Sequence, residues 1–188
     1  MSPTGSDGAL APVVLLTGPP GAGKSTIAPL LADELDPSVH LHADDFWACI
    51  RTGAVLPYLP EAQRQNEVVI DVLVGAAFGY AAGGYHVIVD GVVGPWFLEL
   101  FRVAARAAGR PLHYAVLRPQ EQEVVRRATG RTAENTLTEP EPVREMHRQF
   151  SDLGELEHHV LDSTDLAPRA TADRLLLGIA RGAFRLGT

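Results

Sequence analysis

The chain is short of the residues on which several functions depend. One cysteine in 188 residues, Cys49, excludes an internal disulfide and a zinc cluster built on cysteines. Cations are outnumbered: sixteen Lys and Arg against twenty-three Asp and Glu leave a net charge of −7. That balance counts against a grip along a nucleic-acid polymer, because affinity for a phosphate backbone comes from clustered positive charge. The longest uncharged apolar stretch, 72–85, carries four glycines and is shorter than the roughly 20 residues of a membrane helix. Residues 1–11 are small and mostly polar, with no basic or strongly apolar segment, and read as a loose tail. A cytoplasmic protein with no membrane partner is the expectation.

Lysine is scarcer still. Lys24 is the only one beside fifteen arginines, so its surroundings carry weight. It lies in Gly18-Pro-Pro-Gly-Ala-Gly-Lys-Ser25, a full match to the G-x-x-x-x-G-K-[ST] pattern. The run in front of it, 12–17, is β-branched and apolar, and residues 25–35 have helical spacing. A glycine-rich turn between strand and helix aims backbone N–H groups at a phosphate, and the helix N-terminus adds partial positive charge. Gly18, Pro20, Gly21, Ala22, Gly23, Lys24, Ser25 and Thr26 are therefore the candidate nucleotide-binding residues. Lys24 would reach the β- and γ-phosphates, and the Ser25 hydroxyl would ligate Mg²⁺. Either ATP or GTP satisfies the pattern.

The rest of the chain, with 46 % hydrophobic residues, alternates strand and helix signals. Strands are predicted at 39–43, 85–90, 112–117 and 160–162. Helices are predicted from Asp45 onward, then over 61–82, 95–109, 120–130, 140–153 and 167–184. On the 95–109 helix, Glu99, Arg102 and Arg106 are expected outside, with Leu100, Val103, Ala104 and Ala107 turned to the core. Such alternation implies a single three-layer α/β/α domain over 12–188 around a five-stranded parallel sheet.

In such sheets ligands gather at the carboxyl ends of the strands, and two further strands end in aspartate. Asp90 closes Val87-Ile-Val-Asp90 and suits a residue that orients Mg²⁺ or its waters; hydrogen bonding to the glycine loop is the competing role. Asp44 and Asp45 close His40-Leu-His-Ala-Asp44-Asp45. On an extended backbone they point to opposite sides, so one faces the phosphates while the other caps the next helix. Asp44 is placed at the phosphates, though the reverse assignment also fits. Trp47 and Trp96 follow these strand ends, with Tyr58 in a proline-flanked loop between them. Lining one cleft, they would give the acceptor pocket an apolar side, with Asp90 beside it; ordinary packing accounts for each equally well. His42 could share a face with Asp44, but burial in the core is the simpler expectation. Arg126, Arg127 and Arg131 lead into a polar stretch without periodicity. A closing loop over about 126–140 that carries arginine would suit phosphoryl transfer, whereas Arg126 fits a solvated helix end.

The set GPPGAGKST, LHADDFW and VIVDGVVGPWFL, followed by RRATGR, resembles the small P-loop kinases over about 12–164. It is most similar to the chloramphenicol phosphotransferase-like group, with polynucleotide 5′-hydroxyl kinases and zeta-type toxins as relatives. The resemblance implies a P-loop kinase fold with a mobile lid. It implies Asp44 as the group that takes the acceptor's proton, and Arg127 and Arg131 as the arginine pair at the lid edge. It also implies a small hydroxylated acceptor, an antibiotic inactivated by phosphorylation or else a metabolite. Polynucleotide kinases carry an arginine three residues after the catalytic aspartate. Trp47 stands there in this chain, which again disfavours a nucleic-acid polymer. A regulatory NTPase with no small-molecule acceptor is the alternative from another class. Oligomeric state is not readable.

Overall fold

The computed structural model describes residues 10–130 and 139–187. Strands β1 (Val13–Thr17), β2 (Ser38–His42), β3 (His86–Asp90), β4 (Leu112–Leu117) and β5 (Val160–Leu161) form one parallel sheet in the order β2-β3-β1-β4-β5. Among the described residues seven α-helices surround them: α1 (Lys24–Ala32), α2 (Ala43–Ala48), α3 (Gln63–Ala82), α4 (Pro95–Ala108), α5 (Glu121–Thr129), α6 (Pro140–Gln149) and α7 (Pro168–Ala180). Prolines at the first positions of α4, α6 and α7 give up only an N–H that has no helical partner there. No described helix is long and apolar enough to cross a membrane.

The strands are apolar nearly throughout because both faces of the sheet are covered. Successive residues of β1 alternate between two cores. Val13 and Leu15 join Val87, Val89, Tyr114 and Val116 beneath α3 and α4, where Ile70, Leu73 and Phe101 are fully buried. Val14 and Leu16 join Ile88, Ala115 and Leu117 against α1 and α7, through Ile27, Leu31 and Leu175. The fold is a three-layer α/β/α arrangement around a five-stranded parallel sheet, as the alternation of elements implied.

Local departures are informative. The α4 expectation is corrected in part: Glu99 and Arg106 are exposed and Ala104 packs against the core as expected, but Leu98, Phe101 and Ala105 form the buried face, while Leu100, Val103 and Ala107 are exposed. The helix carries two apolar stripes, and periodicity alone ranks neither above the other. The C-terminal helix stops at Ala180 rather than Phe184, and residues beyond it return to β4. Tyr114 N–H donates to Phe184 O (2.8 Å) and Leu186 N–H donates to Leu112 O (2.9 Å). This pairing covers the stretch of β4 that the two-residue β5 leaves open. The helix expected over 140–153 ends at Gln149, and a 3-10 segment follows at residues 154–159.

Next to that C-terminal segment, His113 is 5 % exposed and its Nδ1 has no hydrogen-bond partner among the described residues. Burial, with Arg185 and His159 nearby, pushes its pKa down from 6.5 to about 4. Between these values the unfolded chain takes up a proton that the folded chain refuses. Stability at this site is therefore complete above about pH 6.5 and falls as the pH drops to 4, by about 3 kcal/mol in all. Urea titrations across that range should show the loss, and His113→Phe should flatten it. An equal slope in the variant would place the acid sensitivity elsewhere.

Candidate active site

β1 ends at Thr17, whose hydroxyl donates to Val93 O (3.0 Å) and accepts from Val93 N–H (2.9 Å), tying the start of the glycine loop to the turn after β3. Gly18 (φ 140°) and Gly21 (φ 85°) then take left-handed backbone angles in tight places. A Cβ on Gly18 would lie 2.1 Å from Leu117 O, and one on Gly21 2.4 Å from Val124 O. Gly23 caps α1 with a left-handed backbone, φ 100°. The loop is thus moulded against β4 on one side and α5 on the other. Lys24, 7 % exposed, folds back over it and donates to Gly18 O (2.9 Å) and Pro19 O (3.0 Å).

Around Ser25 the strand ends converge. Ser25 Oγ donates to Asp90 Oδ2 (2.9 Å), and His40 Nε2 lies 2.6 Å from Asp90 Oδ1. Asp90 is fully buried. Burial alone would push its pKa up, but hydrogen bonds from His40 and Ser25 and the nearby His42 together hold it below the usual carboxylate range. An ionised carboxylate only accepts, so both neighbours donate to it. Ser25 Oγ and Asp90 Oδ2 are two adjacent hard oxygen donors, and that set fits a Mg²⁺ ion that keeps several waters.

His42 is not the core residue its pattern implied. It caps α2 at the cleft, with Nε2 3.3 Å from Ser25 Oγ and 3.7 Å from Asp44 Oδ2, and Nδ1 3.3 Å from Asp45 Oδ1. The two aspartates are also corrected. β2 ends at His42, so Asp44 and Asp45 both lie in the first turn of α2. They do not sit on opposite faces of a strand, and Asp45 is not the cap. Both side chains are 79 % exposed.

The aromatic set divides. Trp47 is half-buried, and its Nε1–H donates to Asn66 Oδ1 (2.9 Å), while Asn66 Nδ2 donates to Pro57 O (2.7 Å) beside Tyr58. Gln65 holds Val55 by both its N–H and its carbonyl, so the start of α3 clamps the loop that presents the exposed Tyr58. Trp96 sits apart, edge-on to Phe97 and Phe150. Among the described residues no ring contact or hydrogen bond links it to Trp47 or Tyr58.

Of the arginines, Arg126 is solvent-exposed on α5 and pairs with Glu123. Arg127 Nε also donates to Glu123 (2.5 Å), but its Nη2 reaches Ser163 O (3.4 Å) and Thr164 O (3.1 Å) across the cleft. Hydrogen bonds from Arg126 and then Arg127 draw the Glu123 carboxyl down to about 2. Residues 126–129 of the expected lid are helical; Arg131 and the rest of the lid up to Thr138 lie outside the described residues.

Sequence reasoning missed the wall opposite α5. A cavity of about 250 Å³ opens beside the glycine loop, lined by Gly23, Thr26, Arg127, Ser163, Leu166 and Pro168 among others. The Ser163 hydroxyl there is buried with no hydrogen-bond partner among the described residues. The signal was available: Asp162-Ser163-Thr164 follows β5 at the same carboxyl edge of the sheet. A larger cavity, about 340 Å³, lies at the amino ends of the strands between Leu10, Arg106, Arg110 and Arg185. None of the residues around the glycine loop lines it.

This geometry, a glycine loop opening a helix beside an acidic strand end and the acidic first turn of α2, agrees with comparison to known proteins. An AAA-domain family model, AAA_33, matches residues 13–153. The chain belongs to that family of P-loop kinases. A curated relative from Gemmatimonas aurantiaca, an adenylate kinase, is 33 % identical over 128 residues, covering 64 % of this chain; the chain spans 59 % of that relative's length. Two solved structures share the fold. The tunicamycin resistance protein of Deinococcus radiodurans matches with a TM-score of 0.66 at 16 % identity, covering 95 % of this chain and 99 % of that one. A sugar kinase from a Janibacter species matches with a TM-score of 0.65 at 21 % identity, covering 92 % and 98 %.

Proposed function

We propose that this AAA_33 protein is a small-molecule O-phosphotransferase that moves the γ-phosphate of Mg²⁺-bound ATP or GTP to a hydroxyl of a small acceptor. The observation that carries this reading is Asp44. It is an exposed carboxylate close to the Ser25 end of the glycine loop: His42 Nε2 lies 3.7 Å from Asp44 Oδ2 and 3.3 Å from Ser25 Oγ. A base open to solvent beside a phosphate cradle suits an acceptor that enters from outside.

In this reading the glycine-loop N–H groups and Lys24 hold the β- and γ-phosphates, and the cavity between Arg127 and Ser163 takes the base of the nucleotide. Ser25 and Asp90 would hold Mg²⁺, which supplies charge neutralisation on the phosphate oxygens when bound. The Asp44 carboxylate accepts the acceptor's hydroxyl proton as that oxygen bonds to the γ-phosphorus. The bond to the β–γ bridging oxygen breaks, and the nucleoside diphosphate leaves. Arg127, with Arg131 of the lid, offsets the transferring charge. Trp47 and Tyr58, joined through the Asn66 clamp, are the proposed apolar side of the acceptor pocket. Trp96, packed edge-on to Phe150 and 51 % exposed, shares no ring contact or hydrogen bond with that pair among the described residues.

The acceptor class we favour is a hydroxylated antibiotic. One protein of this fold is named for tunicamycin resistance and another is a sugar kinase. The adenylate kinase relative raises a second reading, in which a nucleotide phosphate is the acceptor. Two exposed carboxylates at the mouth would repel that dianion, which favours a neutral hydroxyl. An acceptor screen read by mass spectrometry tests the choice. A hydroxylated compound should gain one phosphoryl group while NTP becomes NDP. Phosphorylation of AMP alone would establish the second reading. NTP turnover that no acceptor stimulates, with a stable protein partner, would make the chain a regulatory NTPase.

A further inference from the structure

β2 brings two histidines, His40 and His42, to the edge of the phosphate site, two residues apart and so on one face of the strand. Neither belongs to the glycine loop, and the transfer step above uses neither. His40 makes the shorter contact. Its Nε2 lies 2.6 Å from Asp90 Oδ1, while the other oxygen, Oδ2, accepts from Ser25 (2.9 Å). Asp90 comes from β3 and Ser25 from α1, so three separate elements meet at one carboxylate.

Geometry gives this bond a directional consequence. A carboxylate held at one oxygen still turns about its Cβ–Cγ bond, a broad and nearly two-fold torsion. Held at both oxygens by donors on different elements, it has one orientation. His40 engages Oδ1 from the β2 side, and that leaves Oδ2 on the side of Ser25, next to the hydroxyl. The ring is itself well placed to persist. Its side chain is 25 % exposed, against 1 % for Asp90, so it closes the buried carboxylate off from solvent on that side.

We propose that His40 is a positioning residue that fixes the Asp90 carboxylate so that Oδ2 and Ser25 Oγ present a preformed pair of oxygens to the divalent cation of the bound nucleotide. The effect depends on the phosphate-site reading above, but not on which acceptor is used. Partners that orient a metal-binding carboxylate typically change metal affinity by roughly 10- to 100-fold when removed. His40 should act through the metal and leave the grip on the nucleotide's phosphates nearly unchanged.

The test is Mn²⁺ titration, followed by its electron paramagnetic resonance signal, with the protein saturated by a non-hydrolysable ATP analogue. His40→Leu should weaken Mn²⁺ binding by about tenfold or more, while the analogue's affinity without metal stays within about twofold. His40→Gln, whose amide can reach Asp90 as the ring nitrogen does, should recover most of the loss. His40→Asn, polar but too short to reach, should behave as the leucine variant does and carries the comparison if His40→Leu fails to fold. Equal Mn²⁺ affinity in the parent, Asn and Gln variants would overturn the positioning role and leave the phosphotransferase reading standing. A parent protein that binds neither analogue nor Mn²⁺ would overturn both.

Discussion

An Asp44→Asn enzyme is expected to bind nucleotide as the parent does and to transfer phosphate about 10²- to 10⁴-fold more slowly, the usual contribution of a positioned general base. The side chain is 79 % exposed, and its one ion-pair contact among the described residues is His42 at 3.7 Å. The substitution should therefore leave the fold alone. The most it forfeits structurally is a favourable charge in the first turn of α2, which also holds Asp45 and which the helix dipole rewards by only about 0.3–1 kcal/mol. Stability and nucleotide KM thus serve as internal controls, and the whole effect should appear in kcat. Asp45 provides the opposing arm, because the two carboxylates share a helical turn and equal exposure. A fall in kcat for Asp45→Asn with Asp44→Asn unaffected would exchange their roles. Unchanged turnover in both variants would remove general-base catalysis from this end of the sheet.

The parts of the site that could be read from residues alone are those in which chemistry and chain continuity coincide. The glycine loop is one contiguous segment whose spacing requires a phosphate, and Asp90 follows three apolar residues that can only be a buried strand. What escaped depends on neighbours far away in sequence. Nothing local says that His40 meets Asp90, fifty residues on. That contact follows from the sheet order, which sets β2 beside β3 in the register His42 to Asp90. The last strand to close the site was undervalued for the same reason, since Ser163 becomes significant only once Arg127 is seen to reach its carbonyl. On α4 the competition was between two stripes of comparable hydrophobicity, and the sheet chose Leu98, Phe101 and Ala105. For α2 the helix begins one residue after the strand ends, too abruptly for period-two reasoning to detect.

Gly21→Ala is expected to cost about 2–5 kcal/mol in stability and to abolish nucleotide binding. Two effects add. An L-residue at φ 85° gives up roughly 1–2 kcal/mol to the left-handed conformation. The new methyl would also lie 2.4 Å from Val124 O and 3.2 Å from Ala128 Cβ, a main-chain oxygen and a buried side chain of α5. Neither can swing aside, so overpacking adds about 1–3 kcal/mol. Gly84→Ala separates the terms: its φ is 91°, yet a Cβ there meets nothing within 4 Å. It should lose only the conformational part, about 1–2 kcal/mol. Urea denaturation of both variants measures the difference. The consequence for function follows from what α5 carries. Relief of the clash requires α5 to move away from the loop, and Glu123 and Arg127 travel with it, withdrawing the guanidinium from Ser163 and Thr164. The cradle and α5 are therefore one packed unit. If Gly21→Ala matches Gly84→Ala in stability and still binds nucleotide at parental affinity, the contact between α5 and the glycine loop does not couple them.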